Sequence, residues 1–124
     1  RPHSQVEVAL TDAIRLGVRP PVSDGSDLSG AAPIILAGPA GAVHLKQGLI
    51  LAWRHIHMGP ADAEYWGVKH KDLVSVELPG DRGLILKNVI VRIHPDFIPQ
   101  MHIDTDEANA AGINGAGSGV IIID

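Results

Sequence analysis

Glycine and proline interrupt this sequence so often that they exclude a fold built on long helices. Fourteen glycines and nine prolines are spread over 124 residues, and both residue types tend to end regular elements. Between them lie short runs rich in Val and Ile, which favour strands. The pattern predicts a mainly β protein with short helices. We expect strands at residues 5–10, 34–37, 42–45, 48–57, 73–77, 84–93, 100–104 and 120–123.

Charge and composition exclude several classes of partner and site. The formal net charge is −4 and no stretch is strongly basic, which argues against nucleic acid and against a membrane surface as partners. Because cysteine is absent, a metal ion would have to be bound by histidine or carboxylate. The apolar runs are too short to span a bilayer and no signal peptide is visible, so we expect a cytoplasmic protein.

Histidine provides the candidate metal ligands. His55 and His57 are two residues apart, so in a strand they share one face, roughly 6.6 Å apart along it. His102 lies in a second strand-like segment, between Met101 and Ile103. Three imidazoles would bind zinc at about 2.0–2.1 Å each and leave one tetrahedral position open, as in catalytic sites. The pair alone is a weak motif, because strand histidines without a metal are common.

A local pattern that occurs three times strengthens the metal interpretation. Each copy has an Asp one or two residues before an Ala, a Gly four residues after it, and then Val or Ile. Such a segment is typical of a short helix with a polar start and a glycine end. Six residues before the alanine, each copy has a potential metal ligand. These ligands are Glu7, His57 and His102. The pattern predicts a strand–turn–helix unit used three times.

Three segments of the chain are specific enough to indicate a family. They read Arg-His-Ile-His-Met at residues 54–58, Gln-Met-His-Ile-Asp-Thr-Asp-Glu-Ala-Asn-Ala-Ala-Gly at residues 100–112, and Gln-Val-Glu at residues 5–7. Together they resemble the PduL-type phosphotransacylases, the phosphate propanoyltransferases of bacterial microcompartments. The resemblance extends over essentially the whole chain.

The resemblance implies a fold of two pseudo-repeated β-barrels, of which this chain is the second part. Residues 1–52 would be the remainder of the first barrel and residues 53–124 the second barrel. Each barrel of the family begins with an Arg-His-x-His segment. Only the second such segment is present here, so the chain would begin late in the first barrel.

The resemblance also implies a site with two zinc ions. One zinc would be bound completely by this chain, through His55, His57 and His102. The second would have Glu7 as a ligand, with its other ligands in the absent segment. Two further positions match substrate contacts of the family. They are Arg1, which would bind phosphate, and Asn109, which would contact coenzyme A.

The implied activity is that of a zinc-dependent phosphate acyltransferase. It would convert a short-chain acyl-CoA, such as propanoyl-CoA or acetyl-CoA, and phosphate into acyl phosphate and coenzyme A. The expected partners are these substrates, further copies of the chain in a homo-oligomer, and shell or lumen proteins of a microcompartment for propanediol degradation.

Two other functions stay open on the residues alone. One is a zinc hydrolase that uses metal-bound water, with Glu64 or Glu107 as the base. The other is a non-catalytic binding barrel, with or without a metal ion that stabilises its fold. The roles of three nearby residues are open as well. Asp104 either accepts a hydrogen bond from a ligand imidazole or caps the following helix, and Arg54 and Arg92 either bind phosphates of coenzyme A or carry solvated charge.

Overall fold

The computed structural model describes residues 1–123 and confirms a mainly β chain with short helices. Its elements follow in the order β1 (Val6–Val8), α1 (Leu10–Leu16), β2 (Val22–Ser23), β3 (Ala32–Gly38), β4 (Gly41–Ala52), β5 (His55–Met58), α2 (Pro60–Trp66), β6 (Leu73–Leu78), β7 (Leu84–Ile93), β8 (Gln100–His102), α3 (Thr105–Ala110) and β9 (Val120–Ile122). The helices have six or seven residues, and no helix within residues 1–123 has the length and apolar character needed to cross a membrane.

The chain divides into two compact units, with the boundary between Trp53 and Arg54. The first unit comprises Arg1–Trp53, and the second begins at Arg54. That residues 1–52 and 53–124 belong to two separate barrels of a pair stays a prediction.

The sheet of the first unit is built around the long strand β4. β3 and β4 form an antiparallel hairpin. β1 lies parallel to the later part of β4, with Glu7 beside Ile50, and β2 lies parallel to the end of β4. Leu49 and Ile50, in this later part, are buried, whereas the two arms of the hairpin are largely exposed.

The sheet of the second unit has five strands in the order β8-β5-β7-β6-β9. β5 lies parallel to β7, and β6 and β7 form an antiparallel hairpin. Apolar side chains of these three strands form one core, which Ala63, Val68 and Ala111 complete. A strand, a short helix and a hairpin whose second arm lies parallel to that strand therefore occur in both units.

All three helices end with the same pair of backbone hydrogen bonds. The amide of the residue after each glycine donates to the carbonyl of the alanine five residues earlier, at 2.9–3.0 Å, and the glycine amide donates to the carbonyl three residues earlier, at 3.1–3.2 Å. Gly17, Gly67 and Gly112 have φ angles of 73°, 67° and 69°, the left-handed conformation that this helix ending requires. The predicted short helix of each repeat is confirmed.

One expected strand is wrong. The sequence predicts a single strand over residues 48–57, whereas β4 ends at Ala52 and β5 begins at His55. The amide of Trp53 donates to the carbonyl of Ser23 in the first unit, and the carbonyl of Arg54 accepts from Ile90 in the second unit. The chain passes from one sheet to the other here, and a continuous apolar pattern carries no signal for such a change.

Two smaller differences concern the ends of strands. Leu10, expected at the end of the first strand, is the first residue of α1. Asp104, expected in a strand with His102, is the cap of α3. In both places the backbone turns into a helix directly after the strand.

Candidate metal centre

Alternation along β5 separates its histidines from the core. Ile56 and Met58 are 5% and 1% exposed and belong to the core of the second unit. His55 and His57 are only partly buried. Because successive side chains of a strand point to opposite faces, the apolar residues anchor β5 while both imidazoles lie on its other face.

The pairing of β5 with β8 brings His102 to the same face. The two strands are antiparallel, with His55 opposite His102 and Ile56 opposite Met101. Met101 packs against the core, so His102 has to lie on the histidine side. A register slip of one residue would exchange the faces of Met101 and His102. The register between the strands therefore assembles the group.

The rings of His55, His57 and His102 converge. Their centroids are 4.9 Å apart for His55 and His57, 5.0 Å for His55 and His102, and 4.6 Å for His57 and His102. One ring nitrogen of each lies within 4.8 Å of the others. Within residues 1–123, no other set of three His, Asp or Glu residues has this arrangement.

The spacing of the nitrogens fits a zinc ion. The Nδ1 atom of His102 lies 3.2 Å from the Nε2 atom of His55. Two nitrogens at about 2.0–2.1 Å from a tetrahedral zinc are about 3.3 Å from each other. This pair already has the required separation, and a ring nitrogen of His57 would have to come to about the same distance from both to complete the ligand set. Three neutral imidazoles are a usual ligand set for zinc.

The ring of Phe97 lies flat against the ring of His57. The two centroids are 4.0 Å apart and the planes are inclined by only 11°. The loop that carries Phe97 is fixed to the end of β5, because the amide of His94 donates to the carbonyl of Met58 at 3.2 Å and the amide of Phe97 to the carbonyl of His94 at 3.0 Å. Phe97 therefore restricts the orientation of the His57 imidazole.

The environment of two of the imidazoles favours their neutral form. Burial lowers the pKa of His57, and the charges of His55, His102 and Arg92 lower it further. Burial also lowers the pKa of His102, with a smaller contribution from His55. Histidine binds metal in its neutral form, so both shifts favour the ligand state.

Gln100 adjoins His102 on the same face of β8. Its Oε1 atom lies 3.3 Å from the Nε2 atom of His102. In the tautomer protonated at Nε2, His102 donates to Gln100 and its Nδ1 atom is available to a metal. Ligand imidazoles commonly donate their second nitrogen in this way, which fixes tautomer and ring orientation.

Asp104 and Arg54 have structural partners. The Oδ1 atom of Asp104 accepts from the amide of Glu107 at 2.8 Å, and the Oε1 atom of Glu107 accepts from the amide of Asp104 at 3.1 Å. Asp104 is thus a helix cap. Arg54 pairs through Nη1 with the Oε2 atom of Glu107 at 2.7 Å, and its Nε atom donates to the carbonyl of Lys87 at 2.7 Å. Arg54 is therefore held by protein groups.

Three other predicted site residues lie outside the histidine group. Glu7 is exposed in β1 and its Oε1 atom accepts from the Nε2 atom of Gln5 at 2.6 Å. Arg1 donates through Nη1 to the carbonyl of Gly25 at 2.9 Å, and Asn109 is exposed on α3. Metal or substrate contacts of these residues stay predictions.

Sequence reasoning missed Phe97 and Gln100 beside the histidines. Gln100 had a usable signal, because it stands two residues before His102 in an expected strand and therefore shares its face. Phe97 lies in a loop, where no periodicity indicates the direction of the side chain. Its contact with His57 joins two residues that are 40 positions apart in the sequence.

Comparison with known proteins shows the family. A family model described as phosphate propanoyltransferase matches residues 1–114. The chain belongs to this family. Phosphate propanoyltransferases of Thermotoga maritima, Lachnoclostridium phytofermentans and Listeria monocytogenes are 54%, 50% and 48% identical to it over 115, 113 and 122 residues. The resemblance found in the sequence is confirmed.

The relatives are longer than this chain. The three matches cover 92%, 91% and 98% of this chain, but 55%, 53% and 57% of the relatives. The chain thus spans about half the length of the curated relatives it matches.

Proposed function

We propose that this chain provides one metal centre of a zinc-dependent phosphate acyltransferase, which converts a short-chain acyl-CoA and phosphate into acyl phosphate and coenzyme A. The observation that carries the proposal is the convergence of His55, His57 and His102 on one face of two paired strands. The names of the relatives, which are phosphate propanoyltransferases, support propanoyl as the acyl group.

The proposed reaction brings two anionic reactants together. An oxygen of phosphate attacks the carbonyl carbon of the thioester, so a C–O bond forms and the C–S bond breaks. The thiolate of coenzyme A leaves and takes up the proton that the phosphate loses when it is acylated. His55, His57 and His102 would hold the zinc ion, which would supply Lewis-acid stabilisation of the negative charge on the reacting oxygens. Because the three imidazoles are neutral ligands, they would leave the 2+ charge of the ion uncompensated and available to the reactants.

Three further residues have proposed roles that follow from the resemblance. Arg1 would bind phosphate, since a guanidinium can donate to two oxygens of one phosphate. Asn109 would contact coenzyme A, and its exposure on α3 leaves it accessible. Glu7 would be one ligand of a second zinc ion, and its exposure in β1 is compatible with this role.

The proposed setting is a bacterial microcompartment, in which the enzyme would work as a homo-oligomer beside shell or lumen proteins. Resemblance to the microcompartment phosphotransacylases supports this setting. Co-purification with intact compartments from a natural host would test it, and a protein found only outside them would contradict it.

Release of free thiol from propanoyl-CoA tests the reaction. The protein in its natural form should release coenzyme A from propanoyl-CoA only when phosphate is present. It should form propanoyl phosphate in equal amount. Removal of zinc by a chelator should abolish the release, and added zinc should restore it. The His55→Ala variant should stay inactive after zinc is added.

The same assay separates the two alternatives. Thiol release without phosphate would indicate a thioester hydrolase. Binding of acyl-CoA without any release, or a protein without zinc, would indicate a binding barrel. The structure offers little for the hydrolase, because both carboxylate oxygens of Glu107 are already engaged and Glu64 is exposed on α2.

A further inference from the structure

A partly buried ion pair connects the two chain segments that carry the histidines. Arg54 directly precedes His55, and Glu107 follows His102 by five residues. The Nη1 atom of Arg54 lies 2.7 Å from the Oε2 atom of Glu107. The two residues are 53 positions apart in sequence, so their contact ties together segments that the backbone alone does not connect closely.

Each side chain of this pair is also bound to the backbone. The Nε atom of Arg54 donates to the carbonyl of Lys87 at 2.7 Å, which fixes it to β7. The Oε1 atom of Glu107 accepts from the amide of Asp104 at 3.1 Å, and Asp104 caps the amide of Glu107 in return. Both ends of the ion pair are thus held in place by backbone contacts. The loss of side-chain conformational entropy is therefore shared between these contacts and the ion pair.

The strand that carries His102 needs such support. β8 has three residues and lies at the edge of its sheet, where it pairs only with β5 among the described strands. Short edge strands are held by few hydrogen bonds and open easily. The Arg54–Glu107 pair adds a side-chain link between the start of β5 and the helix that follows β8 directly.

Partial burial makes this ion pair stronger than an ordinary surface pair. The side chains of Arg54 and Glu107 are 29% and 16% exposed. Exposed pairs contribute little because water and salt screen them, whereas partly covered pairs are screened less.

We infer that Arg54 and Glu107 are positioning residues that hold the imidazoles of His55 and His102 at metal-binding distance. This inference rests on the proposed zinc centre and assigns the ion pair a role in the affinity for the metal. The reason is geometric: the ion pair acts on the relative position of β5 and β8, and this position sets the 3.2 Å separation of the two ring nitrogens.

Variants of the pair test the inference through the affinity for zinc. Glu107→Gln keeps a side chain that can accept from the amide of Asp104 but removes the ion pair, and Arg54→Met removes both contacts of the guanidinium. Each should lower the affinity for zinc about 10-fold, the lower range of effects from residues that support metal ligands. Because both variants remove the same link, the double variant should lose about as much as Arg54→Met alone.

Arg54→Lys and Arg82→Met serve as matched variants. Lysine keeps the charge but has one nitrogen for two partners, so it should restore only part of the affinity. Arg82 donates to the carbonyl of Ala110 at the end of α3, far along the helix from the cap at Asp104, so Arg82→Met should leave the affinity unchanged.

A competition titration with a chromophoric zinc chelator, below the melting temperature of each variant, gives the affinities. The absorption spectrum of the cobalt(II)-substituted protein gives an independent measure of the ligand geometry, which a purely structural role would leave unchanged. An unchanged affinity and cobalt spectrum in Glu107→Gln, with normal zinc binding by the wild-type chain, would overturn this inference alone. Failure of the wild-type chain to bind zinc would instead overturn the proposed function.

Discussion

His57 is the residue whose removal tests the histidine group most selectively. Its ring contacts those of His55, His102 and Phe97, while the core-facing residues of β5 are its neighbours Ile56 and Met58. We predict that His57→Ala keeps the fold but lowers the affinity for zinc by more than about 100-fold, since a lost ligand costs more than a lost supporting contact.

Zinc titration together with circular dichroism would measure both effects of His57→Ala. His44→Ala is the control, because His44 is exposed in β4 and lies outside the histidine group. Zinc affinity at the wild-type level in His57→Ala would contradict the ligand assignment.

Phe97 offers a second test at the residue scale. Its ring stacks on His57. The interaction energy of such an aromatic pair is about 0.5–1.5 kcal/mol, which sets the upper range of what the stacking can add to the free energy of zinc binding. We predict that Phe97→Ala lowers the affinity for zinc about 2- to 13-fold and that Phe97→Tyr restores it. Isothermal titration calorimetry would measure the change. Equal affinities of Phe97→Ala and the wild type would show that the stacking does not position His57.

At the scale of elements, the glycine at the end of α2 should matter for stability and not for the metal. Gly67 has a φ of 67°, and no atom lies within 4 Å of where its Cβ would be. The cost of Gly67→Ala is therefore the left-handed backbone alone, about 1 kcal/mol of the free energy of unfolding. Urea unfolding would measure it.

Gly30→Ala is the matched control for this prediction. Gly30 also has open space around its Cβ position, but its φ lies outside the left-handed region. It should change the free energy of unfolding by no more than a few tenths of a kcal/mol. A loss at Gly30 as large as that at Gly67 would show that the backbone conformation is not the cause.

The elements show which structural features are local enough to predict. The helix ends depend on a glycine and its neighbours within five residues, so the repeated Ala–Gly spacing was sufficient. The break between β4 and β5 depends on hydrogen bonds of Trp53 to Ser23 and of Arg54 to Ile90, and local periodicity contains neither. β2 was missed because two residues in a polar loop carry almost no pattern.

At the scale of the whole chain, the candidate site depends on topology as well as on residue type. The sequence supplied the histidines and the family, but only the antiparallel register of β5 and β8 shows that His55 faces His102. The ion pair of Arg54 with Glu107 was not foreseen, because each residue had been assigned another possible role by its local context. Contacts between side chains that are 40 to 53 positions apart in the sequence can be identified only from the fold.

A crystal structure of the zinc-soaked protein, with anomalous data collected at the zinc absorption edge, tests the central claim most directly. We predict one strong anomalous peak, about 2.0–2.1 Å from one ring nitrogen of each of His55, His57 and His102. A zinc peak elsewhere in the second unit, or no peak between these three rings in a protein saturated with zinc, would contradict it.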